Sequence, residues 1–372
     1  MDSFFAVTAP GLSLFTAQEL RQLGFSPLVE PGGVSFKTDL DGLYQSNLHL
    51  RTANRILARL GQFFYATNFA ELRDKASRLP WERFINPGQQ VDIRVTCHKS
   101  KLMHTDAVAE RIAGAIYDRL EKESPYAKPA DEESPSTAQL IVVRLIKDQV
   151  TVSIDSSGEL LYKRGYRQAV ARAPLRETLA AGVLIASGWD TKSPLIDPFC
   201  GSGTICIEAA LMAKAIPPGS NRSFAFMGWP GYSEARWKAL GDTHPMDNKE
   251  ISISGSDRDA GAIKMSYENA ARAGVEKEIS FACHAVSAIT APVQLGWVVT
   301  NPPYGLRVSE GKDLRNLYAQ FGNVLRTQFH GWKVAILCND PILLGHTGLK
   351  LDTSISLING GVNVRLGTGQ VN

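Results

Sequence analysis

Short stretches of alternating apolar and polar residues take turns with stretches of helical spacing along this chain. Residues 4–8 alternate as a strand, and Pro10-Gly11 turns the chain. Apolar positions from Thr16 to Leu23 recur as one helix face, with Gly24 placed to end the helix in left-handed backbone. Pro27 to Glu30 and Gly33 to Lys37 read as a hairpin across Pro31-Gly32-Gly33. Asp39-Leu40-Asp41-Gly42 predicts the cap of a second helix reaching about Leu50, and Ala53 to Leu60 alternates apolar and basic residues as a strand. This βαββαβ-like order predicts a small ferredoxin-like unit over residues 1–65.

A second α/β unit is predicted over 66–165. Phe69 to Ser77 is helical in pattern and Gln90 to Cys97 is a strand, followed by the polar loop His98-Lys99-Ser100-Lys101-Leu102-Met103-His104. Thr105 or Asp106 then caps an amphipathic helix that keeps Val108, Ile112, Ala115, Ile116 and Leu120 on one face. Lys122 to Ala138 is rich in Pro, Glu and Ser and reads as a solvated loop; Gln139 to Leu145 and Gln149 to Asp155 form a hairpin.

Over 166–372 the periods alternate regularly. A helix opens near Ala173-Pro174 with proline in its first turn. Strands are predicted at 195–199, from Ile251 to Asp257, from Ile279 to Cys283, from Trp297 to Thr300 and from Lys333 to Cys338. Helices at 260–273 and from Leu314 to Phe329 lie between them, and Ile355 to Ile358 with Val362 to Leu366 closes the chain as a hairpin. An aromatic, Pro- and Gly-rich insertion at 217–231 and a helix from Ser233 to Leu240 interrupt the series. Strand–helix alternation with an antiparallel end predicts a doubly wound, Rossmann-like α/β sheet.

Composition narrows the class. At 372 residues, 44% hydrophobic and 21% charged, the chain has the make-up of an ordinary soluble protein of two or three domains. No apolar run is long enough to span a membrane, and the N-terminus lacks the basic start of a signal peptide. Five scattered cysteines, never in C-x-x-C spacing, argue against a zinc site or other metal centre and for a reducing, cytoplasmic setting. Formal net charge is only +3, so any nucleic-acid affinity must come from local clusters. Three stand out: Arg51, Arg55 and Arg59; Lys99 and Lys101; and Lys163, Arg164 and Arg167 with Arg172 and Arg176, the last directly before the Rossmann-like half. Nothing in the sequence indicates an oligomeric state.

The chemistry concentrates in two strand ends. Leu195-Ile196-Asp197-Pro198-Phe199-Cys200-Gly201-Ser202-Gly203-Thr204 runs from strand through a glycine turn into a helix. It is not a Walker A loop, and an acid at the strand tip suits a ligand with an ammonium group and ribose hydroxyls, as S-adenosylmethionine has. About a hundred residues on, Val298-Val299-Thr300 runs into Asn301-Pro302-Pro303-Tyr304. Two prolines fix φ and remove two N–H donors, leaving an amide oxygen, a free carbonyl and an aromatic face that can grip a planar base by its exocyclic amine.

Here the sequence resembles class I methyltransferases that modify exocyclic amines of nucleic-acid bases. The second unit, with its Lys-Ser-Lys loop and the segment Leu161-Tyr162-Lys163-Arg164-Gly165-Tyr166-Arg167, resembles a THUMP domain, an RNA-binding module. Thr300 to Arg307, Leu317-Tyr318, Phe329-His330-Gly331-Trp332-Lys333-Val334 and the insertion from Ile216-Pro217-Pro218-Gly219 to Trp237 resemble bacterial large-subunit ribosomal RNA guanine-N2 methyltransferases, without the second methyltransferase half of fused members. The resemblance implies S-adenosylmethionine as cofactor, held by Asp197, Phe199, Cys200, Gly201, Ser202, Gly203, Thr204, Asp257, Arg258 and Asn301. Asp257 is expected on the ribose hydroxyls, and Asp259 as a helix cap. Ala285 falls where the family places its adenine-contacting acid, and His284 or a backbone group is the expected substitute. Asn301, Pro302 and Tyr304 are the implied catalytic residues, and Lys99, Lys101, Lys163, Arg164, Arg167 and Arg307 the implied RNA contacts. The implied partner is RNA, ribosomal ahead of transfer RNA, with no membrane and no metal.

Overall fold

A computed structural model describes residues 1–127, 137–168, 175–241, 252–304 and 314–372. The N-terminal strands are β1 (Asp2–Thr8), β2 (Leu28–Glu30), β3 (Gly33–Thr38), β4 (Ala53–Arg59), β5 (Phe64–Tyr65), β6 (Val91–His98), β7 (Tyr126–Ala127), β8 (Gln139–Ile146) and β9 (Gln149–Asp155). They form one sheet in the order β2-β3-β1-β4-β9-β8-β6-β7, with β5 paired to the start of β9. The two small units predicted from sequence therefore share a sheet. Antiparallel pairing of Leu57, Ala58 and Arg59 with Asp155, Ile154 and Ser153 joins them.

Helices α1 (Ser13–Gln22), α2 (Leu40–His49), α3 (Phe69–Ser77) and α4 (Thr105–Leu120) pack with this sheet around a single core that includes Phe4, Val34, Ile56, Ile93, Ile112 and Ile154. Gly24 ends α1 at φ +85°, and Asp39 caps α2 by accepting from the Gly42 amide, as expected. The cap of α4 differs: His104 occupies that position and makes no side-chain cap.

In the C-terminal half, α5 (Glu177–Ser187) leads into β10 (Leu195–Asp197), followed by α6 (Thr204–Ala213), α7 (Glu234–Gly241), β11 (Ile253–Asp257), α8 (Ala260–Ala273) and β12 (Ile279–Cys283). Then come β13 (Trp297–Thr300), α9 (Arg315–Gln328), β14 (Lys333–Cys338), α10 (Pro341–His346), β15 (Asp352–Asn359) and β16 (Val362–Gln370). The sheet order is β12-β11-β10-β13-β14-β16-β15, parallel except for the β15–β16 hairpin on the edge of β14. The chain departs from β10 in one direction and returns through β13 in the other, so the crevice lies at the carboxyl ends of this adjacent pair.

Several boundaries shift. Helix α5 starts at Glu177 after an extended Arg176; Ala173 and Pro174, where the sequence placed its opening, lie outside the described residues. Strand β10 stops at Asp197 because Pro198 has no N–H for the ladder. The terminal hairpin is longer than predicted, α10 was not foreseen, and β7 forms inside the stretch read as loop. The aromatic insertion binds the two halves together: Phe226 stacks on Tyr44 with centroids 4.6 Å apart, and Trp229 meets Phe84 edge-on at 4.8 Å.

Candidate active site

Asp197 at the tip of β10 is 1% exposed. Its Oδ1 accepts from the Thr300 hydroxyl at 2.6 Å and from the Phe199 amide at 3.1 Å. Burial pushes the carboxyl up to about 7, against the pull of these two hydrogen bonds, and nearby Asp257 adds to the rise. Near neutral pH the group is balanced between its two forms, and an ammonium beside it would settle it as carboxylate.

The following loop is braced from within. The Cys200 amide donates to Ser256 O (3.0 Å) and the Gly201 amide to Asp257 Oδ2 (3.1 Å). Ser266 Oγ donates to Gly201 O (2.8 Å) and Asn269 Nδ2 to Ser202 O (3.1 Å). Phe199 packs edge-on against Phe321. Gly201 and Gly203 both adopt positive φ, +53° and +83°, but for different reasons. A Cβ on Gly203, which opens α6 ahead of Thr204, would come within 3.1 Å of Phe281 and Ser266. A Cβ on Gly201 would meet nothing within 4 Å and would project into open space. That space, with one carboxylate balanced near neutrality and a second on the next strand, fits an ammonium and ribose hydroxyls.

Asp257 Oδ1 accepts from the Asp259 amide at 3.0 Å, so each carboxylate oxygen holds one backbone amide and keeps further lone pairs. Asp259 caps α8 through the Gly261 and Ala262 amides, as expected. The His284 amide donates to Asp257 O at 3.0 Å, which brings His284 beside the β11 tip, while Arg258 and Ala285 are exposed there.

Strand β13 delivers Asn301-Pro302-Pro303-Tyr304 next to Asp197, the Thr300 hydroxyl being the link. The Asn301 Oδ1 is buried and has no hydrogen-bond partner among the described residues. Pro303 O accepts from the Tyr318 hydroxyl (3.3 Å), and Asn359 Nδ2 donates to the Tyr304 hydroxyl (2.8 Å). Burial raises the Tyr304 phenol, so the ring is neutral. Thr300, Tyr318 and Asn359 were not among the site residues expected from sequence, since each acts through a partner distant in the chain.

The implied RNA contacts divide. Lys99 and Lys101 are exposed on the β6–α4 loop. Lys163 is partly exposed, with its ammonium 3.2 Å from Glu159. Arg164 and Arg167 correct the sequence expectation. Arg164 is 3% exposed, donates to the carbonyls of Leu161 and Arg51, and lies 3.6 Å from the buried Glu208. Arg167 is paired with buried Glu177, its Nε 2.8 Å from Oε1. Both guanidiniums act as internal struts because each has a buried carboxylate to neutralise. Arg51 does the same work, donating to Ile216 O at 2.6 Å beside Glu208 of α6. Arg307 lies outside the described residues. Among the described residues no cluster of side chains could hold a metal, and no helix is long and apolar enough to cross a membrane.

Comparison with known proteins matches residues 3–57 to an RlmL ferredoxin-like domain, 66–155 to a THUMP domain and 164–363 to an RMKL-like methyltransferase domain. The chain is 34% identical to the ribosomal RNA large subunit methyltransferase K/L of Syntrophotalea carbinolica, over 98% of this chain and 53% of that protein. For the enzyme of the same name from Methylococcus capsulatus the values are 35%, 98% and 50%. The chain thus spans about half the length of the curated relatives it matches. Among solved structures, a protein assigned as a methyltransferase and complexed with SAH superposes with TM-score 0.89 at 32% identity, covering 100% of this chain and 98% of that one. A predicted N6-adenine-specific DNA methylase from Listeria monocytogenes gives TM-score 0.89 at 31% identity, covering 100% and 96%. With a domain match spanning 164–363 and solved relatives alike from end to end, the chain belongs to the RMKL-like methyltransferase family.

Proposed function

We propose that this chain is an S-adenosylmethionine-dependent RNA methyltransferase acting on the exocyclic N2 of a guanine in ribosomal RNA of the large subunit. The observation that carries the reading is the buried Asn301 Oδ1, an acceptor without a donor among the described residues, at the end of β13. A base amine is a poor nucleophile because its lone pair is spread into the ring. Asn301 Oδ1 and the Pro302 carbonyl accept its two N–H groups, which draws the nitrogen toward tetrahedral geometry and aims its lone pair. Tyr304 holds the face of a base that has left its stack. On the other side of the crevice, Asp197 takes the ammonium of the cofactor, Asp257 its ribose hydroxyls, and Gly201 leaves room for close approach. When bound, S-adenosylmethionine supplies a methyl group that its sulfonium has already activated. The residues therefore contribute positioning and exclusion of water rather than covalent catalysis.

The THUMP match supports RNA, and the names of the curated relatives support ribosomal RNA. The name of the Listeria protein favours an adenine acceptor, and product analysis decides between them. Ribosomal and transfer RNA incubated with the protein and methyl-labelled cofactor, then digested to nucleosides, should yield N2-methylguanosine from ribosomal RNA. Label in N6-methyladenosine would move the acceptor, label confined to transfer RNA would move the substrate, and no label in either would overturn the proposal.

A further inference from the structure

The sheet register assembles an exposed surface outside the active site, bordered by the Lys99 and Lys101 cluster. Tyr65 pairs with Gln149, Gln149 with Ile146, and Ile146 with His98, across β5, β9, β8 and β6. Directly paired residues share a face, so these four side chains form one row. Their neighbours Val150 and Leu145 are fully buried, and Phe64 and Cys97 pack against the core, so the row is on the opposite, outer face. Tyr65 is 54% exposed and Ile146 51%. Phe63, 55% exposed, sets its ring edge-on to Tyr65 with centroids 6.0 Å apart. One pair further along the same face, Arg144 stands exposed between Thr96 and Thr151.

The end of this row is rimmed with cations on rigid backbone. The two-residue turn Lys147-Asp148 has φ +51° and +64°, a geometry that favours Asn-Gly, yet a lysine occupies its first position. Lys99, also exposed, adopts φ +50° in the adjoining loop. The turn and loop are tied together: the Lys147 amide donates to His98 O (3.1 Å), the Asp148 amide to Ser100 Oγ (3.0 Å), and the Lys101 amide to Asp148 Oδ1 (2.6 Å). The last bond engages the acid of the turn within the loop, beside Lys99, Lys101, Lys147 and Arg144, all exposed.

Exposed aromatics on an open sheet, bordered by fixed cations, suit one chemistry: unpaired bases stacking while phosphates meet the rim. A duplex keeps its base faces covered and gains nothing from Phe63 and Tyr65. We infer that the outer face formed by Phe63, Tyr65, Ile146, His98 and Arg144, with the Lys99 and Lys147 rim, binds an unpaired segment of the RNA substrate. The inference rests on the RNA reading proposed above and extends it to a second contact away from the reacting base.

The test uses the full chain and a short fluorescein-labelled RNA of mixed sequence, single-stranded or annealed to its complement, with anisotropy read across a salt series. Phe63→Ala combined with Tyr65→Ala should weaken single-strand binding roughly tenfold or more, with the salt slope and duplex binding unchanged. Tyr65→Phe should keep wild-type binding. Neutralising Lys99, Arg144 and Lys147 together should lower the single-strand salt slope by about 2, since about 0.7 of a counterion is released per phosphate contact. Wild-type single-strand affinity in the aromatic variant, in protein whose thermal unfolding is unchanged, would overturn the inference; so would an equal loss for the duplex. Methyl incorporation by the wild-type chain is measured alongside. Binding that depends on this face with no incorporation would sink the proposed function and leave the surface standing, and the reverse pattern would do the opposite.

Discussion

Two strand ends face one crevice and are finished in opposite ways. After β10, the polar groups of the loop are turned inward and met: Cys200, Gly201 and Ser202 all bond to Ser256, Asp257, Ser266 or Asn269 beneath them. After β13, two prolines remove donors, and Asn301 Oδ1 is left buried without one among the described residues. Leaving a buried acceptor unmet costs about 1–3 kcal/mol, and a substrate amine that supplies the hydrogen bond recovers it. On the proposed reading, the β10 loop is braced by its own hydrogen bonds for the cofactor, and the β13 turn keeps an acceptor for the substrate amine to complete.

The sharpest way to break this contrast is Asn301→Ala. Removing one preorganised group of this kind should cost about 10²–10³ in the single-turnover methyl-transfer rate, with cofactor affinity intact. Because the lost oxygen has no partner among the described residues, thermal stability should be unchanged or slightly higher. Full activity in this variant would end the amine-gripping role, and a marked loss of stability would show that the oxygen is structurally engaged.

The two glycines of the rigid loop sharpen the other half. Both hold positive φ, so alanine strains the backbone similarly at either. At Gly203 the new Cβ would crowd Phe281 and Ser266, so Gly203→Ala should lower the melting temperature. At Gly201 it enters open space, so Gly201→Ala should fold better yet bind S-adenosylmethionine roughly tenfold more weakly by calorimetry. If both variants lose only stability, the space over Gly201 is not the cofactor's.

Asp197 adds a pH signature. Its carboxyl rises from 3.8 to about 7 on folding, so between these values the folded chain binds a proton that the unfolded chain has lost. Stability from this site is therefore full below about pH 4 and falls as pH rises toward 7, by up to about 1.4 kcal/mol per pH unit. Binding of an ammonium runs the other way. Affinity for the cofactor should climb up to about tenfold per pH unit below 7 and level off above it. Asp197→Asn should bind weakly and without that slope. A flat wild-type profile would place the ammonium elsewhere.

Much of this site was legible in the sequence because glycine and proline constrain backbone locally. Glycine at 201 and 203 permits the positive φ that both adopt, and the donor-poor turn after Thr300 follows from its two prolines. What was not legible depends on distance along the chain. The Thr300–Asp197 bond spans 103 residues, and charge at Arg164 and Arg167 reads as surface until Glu208 and Glu177 are seen buried against them. Likewise a period of two announces strands β4 and β9 but not that they pair, so the two modules were legible and the sheet running through both was not.

The smallest expected effect tests how the open turn is held in shape. Asn359, at the tip of the β15–β16 hairpin, donates to the Tyr304 hydroxyl 55 residues away. The following Gly360 and Gly361 take φ +55° and +83°, the geometry that lets the hairpin reverse at that point. If the bond orients the ring against the target base, Tyr304→Phe and Asn359→Ala should each slow methyl transfer about two- to fivefold, the worth of one neutral hydrogen bond, with cofactor affinity unchanged. Tyr304→Ala should cost more, since it removes the stacking face itself. The decisive measurement is the double variant Tyr304→Phe with Asn359→Ala. Two residues acting through one bond lose it once, so the double variant should match the slower single variant. Multiplied losses would mean that Asn359 steadies the hairpin and Tyr304 meets the base independently, leaving the acceptor turn with no brace from the sheet edge.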